Sequence, residues 1–546
     1  MTKRFDFIVV GGGSSGCIVA SKLAERGHSV LLLEAGDRAE ENPETLRADG
    51  YKEAFINDRL MHERFTIEQA ACGGRRLFAG TGRGIGGSGA INAMVYTRGA
   101  REDFDAWGEG WRWDDVRPDF EELESKLRPN RREETSFTRA CIQSAEEQGL
   151  REKADLNDGD LTNVLGHEWM NYEGDKRRNA YVAFIQDSPP RSLTIETGAR
   201  ATSIGLEDAD DGAHRAVSIS YEKNGETQTV FANKEIVLAA GALATPALLL
   251  ASGIGPASEL RTLGRPYLVN IPGVGRNLHD HPNVTLFFLA NHAIDCSYPQ
   301  LYGFGRMKPG KGPSDSCFVF YPARSSFREG LMRMLPAMVL PERTYFEGRA
   351  VRLMRGAIST AFKAGTVRRF VDKMWGIVVI LGKPVSRGTV RLGPISGGDT
   401  ARIDPAYLSH PDDLETMVTG VRHARKIAAS AALHELGSLE VVPGTFGRGK
   451  GETRTLSELR TDRTDIERFL RKNLMTTYHF AGTCKMGDDN LAVVDRNLRV
   501  RGIRGLRVAD ASAIPETPVA AMNAPSMLVG LRGAKHILED HPSPDR

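Results

Sequence analysis

Long hydrophobic runs are missing from this chain. No stretch of about 18 apolar residues occurs, so the sequence offers no membrane-spanning helix. Cysteine is sparse: Cys17, Cys72, Cys141, Cys296, Cys317 and Cys484 are the six in 546 residues. None forms a CxxC pair, and no Cys/His group has zinc spacing, which excludes a disulfide scaffold and predicts no metal site. Reduced thiols in a cytoplasmic protein are the expectation. A charge bias is missing too. Seventy-two Lys and Arg stand against 70 Asp and Glu, a net charge of +2, so nothing calls for a nucleic-acid partner. The apolar run at residues 5–10 is too short for an export signal and stops at Gly11.

What is abundant is glycine, 58 residues, and it is clustered. Residues 7–10 read as a buried strand, Gly11-Gly12-Gly13-Ser14-Ser15-Gly16 follows, and residues 17–26 read as an amphipathic helix. Residues 28–33 form a second strand that ends at Glu34 and Ala35. Gly11 permits the tight turn, Gly13 lets backbone approach a pyrophosphate, and Gly16 lets helix and strand pack closely. The helix N-terminus offers free N–H groups to phosphate. Glu34, about 20 residues on, can accept from a ribose diol. The reading is dinucleotide binding, without a choice between FAD and NAD.

A second dense run, Gly82-Arg83-Gly84-Ile85-Gly86-Gly87-Ser88-Gly89-Ala90-Ile91-Asn92, continues through Ala93, Met94 and Val95 to Gly99. Bare backbone of this kind can lie against a flat ring and a phosphate. Further on, residues 235–239 read as a strand leading to Ala240, Gly241 and a helix. Residues 506–509 read as another strand that delivers Asp510 and Ala511, before Asn523, Ala524 and Pro525 open a last helix.

Together these segments resemble the glucose-methanol-choline (GMC) oxidoreductase family, in its choline dehydrogenase-like form. The stretches at 82–99 and 241–256 resemble its two signatures. Gly273-Val274-Gly275-Arg276-Asn277-Leu278-His279-Asp280-His281 resembles a third block, and His479-Phe480-Ala481-Gly482-Thr483-Cys484-Lys485-Met486-Gly487 the block that carries the family's catalytic histidine. The matches run in family order over nearly the whole chain. The resemblance implies an α/β fold: an FAD-binding Rossmann-like domain of the p-hydroxybenzoate hydroxylase kind, and an α+β substrate domain on an antiparallel sheet. Residues 1–104, 182–285 and 474–546 are assigned to the first and 105–181 and 286–473 to the second. It implies FAD held by Gly11, Gly13, Ser14, Ser15, Gly16, Glu34, Ala35, Arg83, Gly86, Gly87, Ser88, Asn92, Ala93, Met94, Val95, Ala240, Gly241, Asp510, Ala511, Asn523 and Ala524. Some members tether FAD to a histidine just before the Asn92 position; Ile91 stands there, so non-covalent FAD is expected.

The implied reaction is oxidation of a CH–OH group by hydride transfer to flavin N5, with His479 as acid–base group. Histidine suits that task because its ordinary pKa lies near neutrality. His281 is expected only to hold the loop beneath the cofactor. The family's second polar residue, His or Asn, falls on Ala521, whose methyl cannot orient an alkoxide. Either His479 works alone, another side chain enters the cavity, or the reaction is not ordinary alcohol oxidation. Branches of the family imply two alternatives, a non-redox FAD lyase such as a hydroxynitrile lyase and a light-driven fatty-acid decarboxylase, and Ala521 motivates a third, a flavin-binding protein with decayed catalysis. The electron acceptor, whether oxygen, a quinone or a cytochrome, is also open. Finally, residues 324–373 hold eleven Lys or Arg against four Asp or Glu, interleaved with Met, Leu and Phe. Such a surface can meet anionic lipid, so peripheral contact with the inner membrane face and a lipid-like alcohol substrate are further expectations.

Overall fold

A computed structural model describes residues 3–208, 213–310, 312–393, 401–441 and 462–542. The parts of the expected substrate domain at 394–400 and 442–461 lie outside the described residues. Two large sheets organise the chain.

The first sheet begins with β1 (Arg4–Val10), followed by helix α1 (Ser14–Glu25) and β2 (Val30–Leu33). Val10 is preceded by three fully buried apolar residues, which is why this strand sits at the centre rather than the edge. It pairs in parallel with β2 on one side and with Glu226–Leu238 on the other. Leu193–Glu196 extends the parallel part beyond β2, and Leu506–Val508 pairs in parallel with Glu226–Leu238. The strands His214–Lys223 and Arg200–Asp208 complete the sheet as an antiparallel extension. The last helix, Asn523–Asp540, packs on α1 so closely that a Cβ on Gly530 would lie 2.8 Å from the Ser15 backbone.

The second sheet is almost entirely antiparallel. Its order is Leu439–Val441, Pro282–Leu289, Met374–Leu381, Ser316–Pro322, Leu301–Gly305, Val164–His167, Arg151–Glu152. Alternation with period two divides its faces. Phe318, Phe320, Ile377 and Val379 join a core against helix Pro411–Ala429. Val319, Tyr321, Val378 and Ile380 turn the other way and line a cavity. The residue boundary drawn at 285/286 falls inside the strand Pro282–Leu289, and Met475–Thr476, from the segment assigned to the cofactor part, pairs with that same strand. The sheet is thus closed by residues on both sides of the boundary. Continuous pairing, not motif position, decides where a strand belongs.

Four helices, Phe327–Val339, Glu342–Glu347, Arg349–Ala361 and Gly365–Asp372, form the outer cover. Ion pairs pin it to residues 55–63. The buried Arg333 pairs with Glu63 and Asp58, Arg355 reaches Asp58 at 2.8 Å, and the Tyr345 hydroxyl donates to Glu63. Among the described residues no helix is long and apolar enough to cross a membrane.

Candidate functional site

Between the two sheets lies a cavity of about 1510 Å³. Ligand pockets usually hold about 300–1000 Å³, so there is room for a dinucleotide and a second small molecule. One wall is made of the glycine loops. Gly11 has φ 107°, and a Cβ there would lie 2.5 Å from the Ala239 carbonyl oxygen; a Cβ on Gly16 would lie 1.8 Å from the Gly11 oxygen. No other residue fits either position. Gly87, at φ 53°, brings the second loop within van der Waals contact of Gly13. Two helix N-termini, at Ser14 and Asn523, meet at this wall, and Asn523 Nδ2 donates to Ser14 Oγ at 3.0 Å.

Of the residues expected to hold the cofactor, Gly11, Gly13, Ser14, Ser15, Glu34, Ala35, Gly87, Ser88, Asn92, Ala93, Val95, Ala240, Gly241, Asp510, Ala511 and Asn523 line the cavity. Gly16, Gly86, Met94 and Ala524 do not; they lie behind it. Gly86 N donates to the Gly12 carbonyl at 2.7 Å, and Met94, at φ 69°, turns the loop with its N–H on Asn92 Oδ1. Arg83 lines a separate shallow cavity with Ala35, His62 and Arg200.

Two carboxylates differ from their expected use. Glu34 accepts from the N–H groups of Gly12, Gly36 and Gly84 at 2.8, 2.8 and 3.0 Å. A carboxylate has about four acceptor positions, so one remains for a ribose hydroxyl. Asp510 accepts from Gly241 N, Thr245 Oγ1, Ser512 N and Ser512 Oγ, and is filled by the protein itself. It joins its own turn to the Gly241–Thr245 turn instead of presenting a free oxygen.

His479 lines the same cavity. Its approach is strained: Tyr478 adopts φ 63°, a conformation unusual for an aromatic residue. Asp280 holds the turn. Its Oδ1 accepts the His479 N–H at 2.6 Å, and its Oδ2 accepts the hydroxyls of Thr476 and Tyr407, both at 2.5 Å. Burial pushes the Asp280 carboxyl up to about 6. Burial also pulls the His479 imidazole down to about 4, so at neutral pH it is an uncharged ring able to accept a proton.

The histidine has a partner that motif reasoning placed elsewhere. His281 Nδ1 lies 2.9 Å from His479 Nδ1. Burial, and then the neighbouring His479 and His279, hold the His281 imidazole well below the usual range, so the pair is uncharged and shares one proton between the two Nδ1 atoms. With that proton on His479, its lone pair is on Nε2. The spacing of Asp280-His281 within a known block was the available signal, but only the pairing of Met475–Thr476 with Pro282–Leu289 brings the two rings together.

Two further residues were not anticipated. Arg177, buried, donates to the Gly89 and Asn92 carbonyls and to Asn92 Oδ1, and so clamps the second glycine loop. Glu168, 1% exposed, is on the cavity wall; its oxygens have no hydrogen-bond partner, and burial pushes its carboxyl up to about 8. Ala521 lines the cavity beside Tyr302, Val319 and Val378, an apolar chamber.

Comparison with known proteins agrees with this geometry. The sequence models described as GMC oxidoreductase match residues 5–283 and 384–530. The chain is 30% identical to an oxygen-dependent choline dehydrogenase of Vibrio vulnificus, over 100% of this chain and 96% of that one. It is 30% identical to an alcohol dehydrogenase [acceptor] of Pseudomonas putida, over 98% and 96%. The crystal structure of pyridoxine 4-oxidase from Mesorbium loti superposes with a TM-score of 0.82 at 26% identity, covering 98% of this chain and 100% of the other. A cavity walled by two glycine loops, an imidazole facing it and full-length relatives together place this chain in the GMC oxidoreductase family.

Proposed function

We propose that this protein is an FAD-dependent oxidoreductase that oxidises the CH–OH group of an alcohol to an aldehyde or ketone. The observation that carries the reading is His479, an uncharged imidazole across one cavity from the two glycine loops. FAD, when bound, supplies the hydride acceptor. The fit is physical: backbone N–H groups and two helix N-termini suit a pyrophosphate, and Gly11, Gly13 and Gly87 present no Cβ to it. Gly11, Gly13, Ser14, Ser15, Glu34, Ala35, Gly87, Ser88, Asn92, Ala93, Val95, Ala240, Gly241, Ala511 and Asn523 hold it. Gly16, Gly86, Met94 and Ala524 shape those loops from behind, Asp510 braces them at the cavity wall, and Arg83 acts from the neighbouring cavity. The attachment is non-covalent, because Ile91 offers no nucleophile. Acid precipitation that leaves the yellow colour in the supernatant tests this.

His479 Nε2 takes the hydroxyl proton as the C–H bond breaks. His281 keeps that lone pair outward by accepting from Nδ1, and Asp280 fixes the backbone beneath it. Ala521 contributes only a methyl at the position where a second polar group is expected. The apolar chamber around Ala521 packs the substrate's carbon skeleton. The full-length relatives bear names of alcohol oxidation, which favours this reading over a lyase, a decarboxylase or a decayed enzyme.

The two domains divide by sheet, with the cavity between them. The six described cysteines are all free and buried, which supports a cytoplasmic location. The same reading includes a lipid-like substrate and peripheral contact with a membrane. The decisive experiment mixes the yellow protein anaerobically with alcohols from short and polar to long and apolar. Bleaching of the flavin supports the reading. Cyanide release without bleaching, or turnover only under blue light, contradicts it. Reoxidation of the bleached protein by oxygen, a quinone or a cytochrome then identifies the acceptor.

A further inference from the structure

Nine large hydrophobic residues are exposed among the described residues, and five of them, Met338, Val339, Phe346, Leu353 and Phe370, fall within one short part of the helical cover. Leu353 is 77% exposed, the most of all. A monomer has no reason to concentrate its exposed apolar side chains in this way, and such patches mark contact surfaces.

Along the outer two helices the charge has one sign as far as Val371; Glu342 and Glu347, beside Phe346, pair with Arg76 and Arg343. From Gly348 to Val371 the sequence contains no Asp or Glu. Arg349, Arg352, Lys363, Arg368 and Arg369 are exposed there, while the sixth cation, Arg355, is tied to Asp58. The chain as a whole is nearly neutral, so this is a local arrangement. On helix Arg349–Ala361 the geometry is explicit. Val351 is buried on the inner side, and the outer side carries Arg349, Arg352 and Leu353, then the small residues Gly356, Ala357 and Thr360, all exposed. A face with cations, an apolar side chain and no acids matches anionic headgroups above an apolar interior.

The cavity opens beside this face. Phe346, 53% exposed, also lines the cavity, as do Glu342, Glu329 and Gly330 from the same cover. We propose that the helices Glu342–Glu347, Arg349–Ala361 and Gly365–Asp372 form a docking surface for an anionic lipid bilayer, so that a membrane-dissolved alcohol enters the cavity past Phe346. This deepens, and rests on, the reading of the chain as an alcohol oxidoreductase.

The test uses the flavin-loaded protein and vesicles of phosphatidylcholine, with or without phosphatidylglycerol. The native protein sediments with the anionic vesicles only, and high salt releases it. The variant Leu353→Glu/Arg349→Glu/Arg369→Glu binds at least about tenfold more weakly, because each cation near an anionic surface contributes appreciably. None of the three lies in the catalytic machinery, so the variant bleaches with a soluble alcohol as fast as the native protein. It turns over a long-chain alcohol carried in the vesicles more slowly. A Leu353→Trp protein adds an independent readout, a blue shift of its emission on vesicle addition. Equal binding to both vesicle types, undiminished binding by the triple variant, or a native dimer that the variant dissociates overturns the proposal. Because bleaching by the soluble alcohol is read separately, its failure strikes the enzymatic reading and leaves the docking result to stand by itself.

Discussion

The two walls of the cavity are built by different physics. The nucleotide wall is backbone: Gly11, Gly13, Gly16 and Gly87 approach one another at distances no side chain tolerates, and Glu34 and Asp510 spend their oxygens on loop N–H groups. The other part of the lining is side chains: His479, Tyr302, Val319 and Val378 come from segments far apart in sequence, and His281 stands against His479. The first wall has one solution and resists change. The second can vary its residues while keeping its sheet, and it carries the chemistry.

The largest effect is expected where the backbone wall is tightest. Gly16→Ala places a Cβ 1.8 Å from the Gly11 oxygen, so the loop must move. The loss should exceed about 4 kcal/mol, and the purified protein should be colourless or insoluble. Normal flavin content in the variant breaks the contrast between the walls.

His281→Leu comes next. It removes the hydrogen-bond partner of His479 Nδ1 but touches no glycine loop. Flavin content stays normal while the rate of flavin reduction falls about tenfold. A loss of flavin without a loss of rate reverses the assignment of the two walls.

The pH dependence sharpens the same point. His479 titrates at about 4, below the ordinary value for histidine, and burial is the cause. The uncharged base is present above that pH, so the rate of flavin reduction stays level down to about pH 5 and falls below it. A decline centred near 6.5 contradicts the buried imidazole. Stability follows the same sign. His279, His281 and His479 all have depressed values, so the unfolded chain binds more protons below about pH 6.5, and thermal stability declines from there toward pH 4.

A further effect is at Glu168. Its carboxyl titrates at about 8 when folded, against an ordinary 4.5, so the folded chain keeps a proton that the unfolded chain has lost. Stability from this group therefore falls as pH rises from 4.5 to 8. Glu168→Gln removes that slope, and its Tm at pH 9 should exceed that of the native protein by several degrees while the two match near pH 5.

Legibility in the sequence divided along the same line. The strand–glycine–helix opening, the second glycine loop and the helix beginning at Asn523 were readable, because each is a local spacing with a local steric cause. The role of Glu34 was readable only in part: its position follows from the strand, but three N–H partners come from separate turns. Arg177 was not readable at all. It reaches Gly89 and Asn92 across 85 or more residues, and an isolated arginine carries no periodic signal. The pairing of His281 with His479 spans 198 residues and depends on strand register. The basic, apolar stretch at 324–373 was visible, yet the sequence could not separate Arg333 and Arg355, which hold the cover in place, from Arg349 and Arg369, which face outward.

The most direct test of the account is the rate at which an alcohol bleaches bound flavin under anaerobic conditions, compared between the native protein and His479→Ala at equal flavin content. The account predicts prompt bleaching by the native protein and a rate at least about a hundredfold lower in the variant. Equal rates, or a native flavin that no alcohol reduces, contradict it.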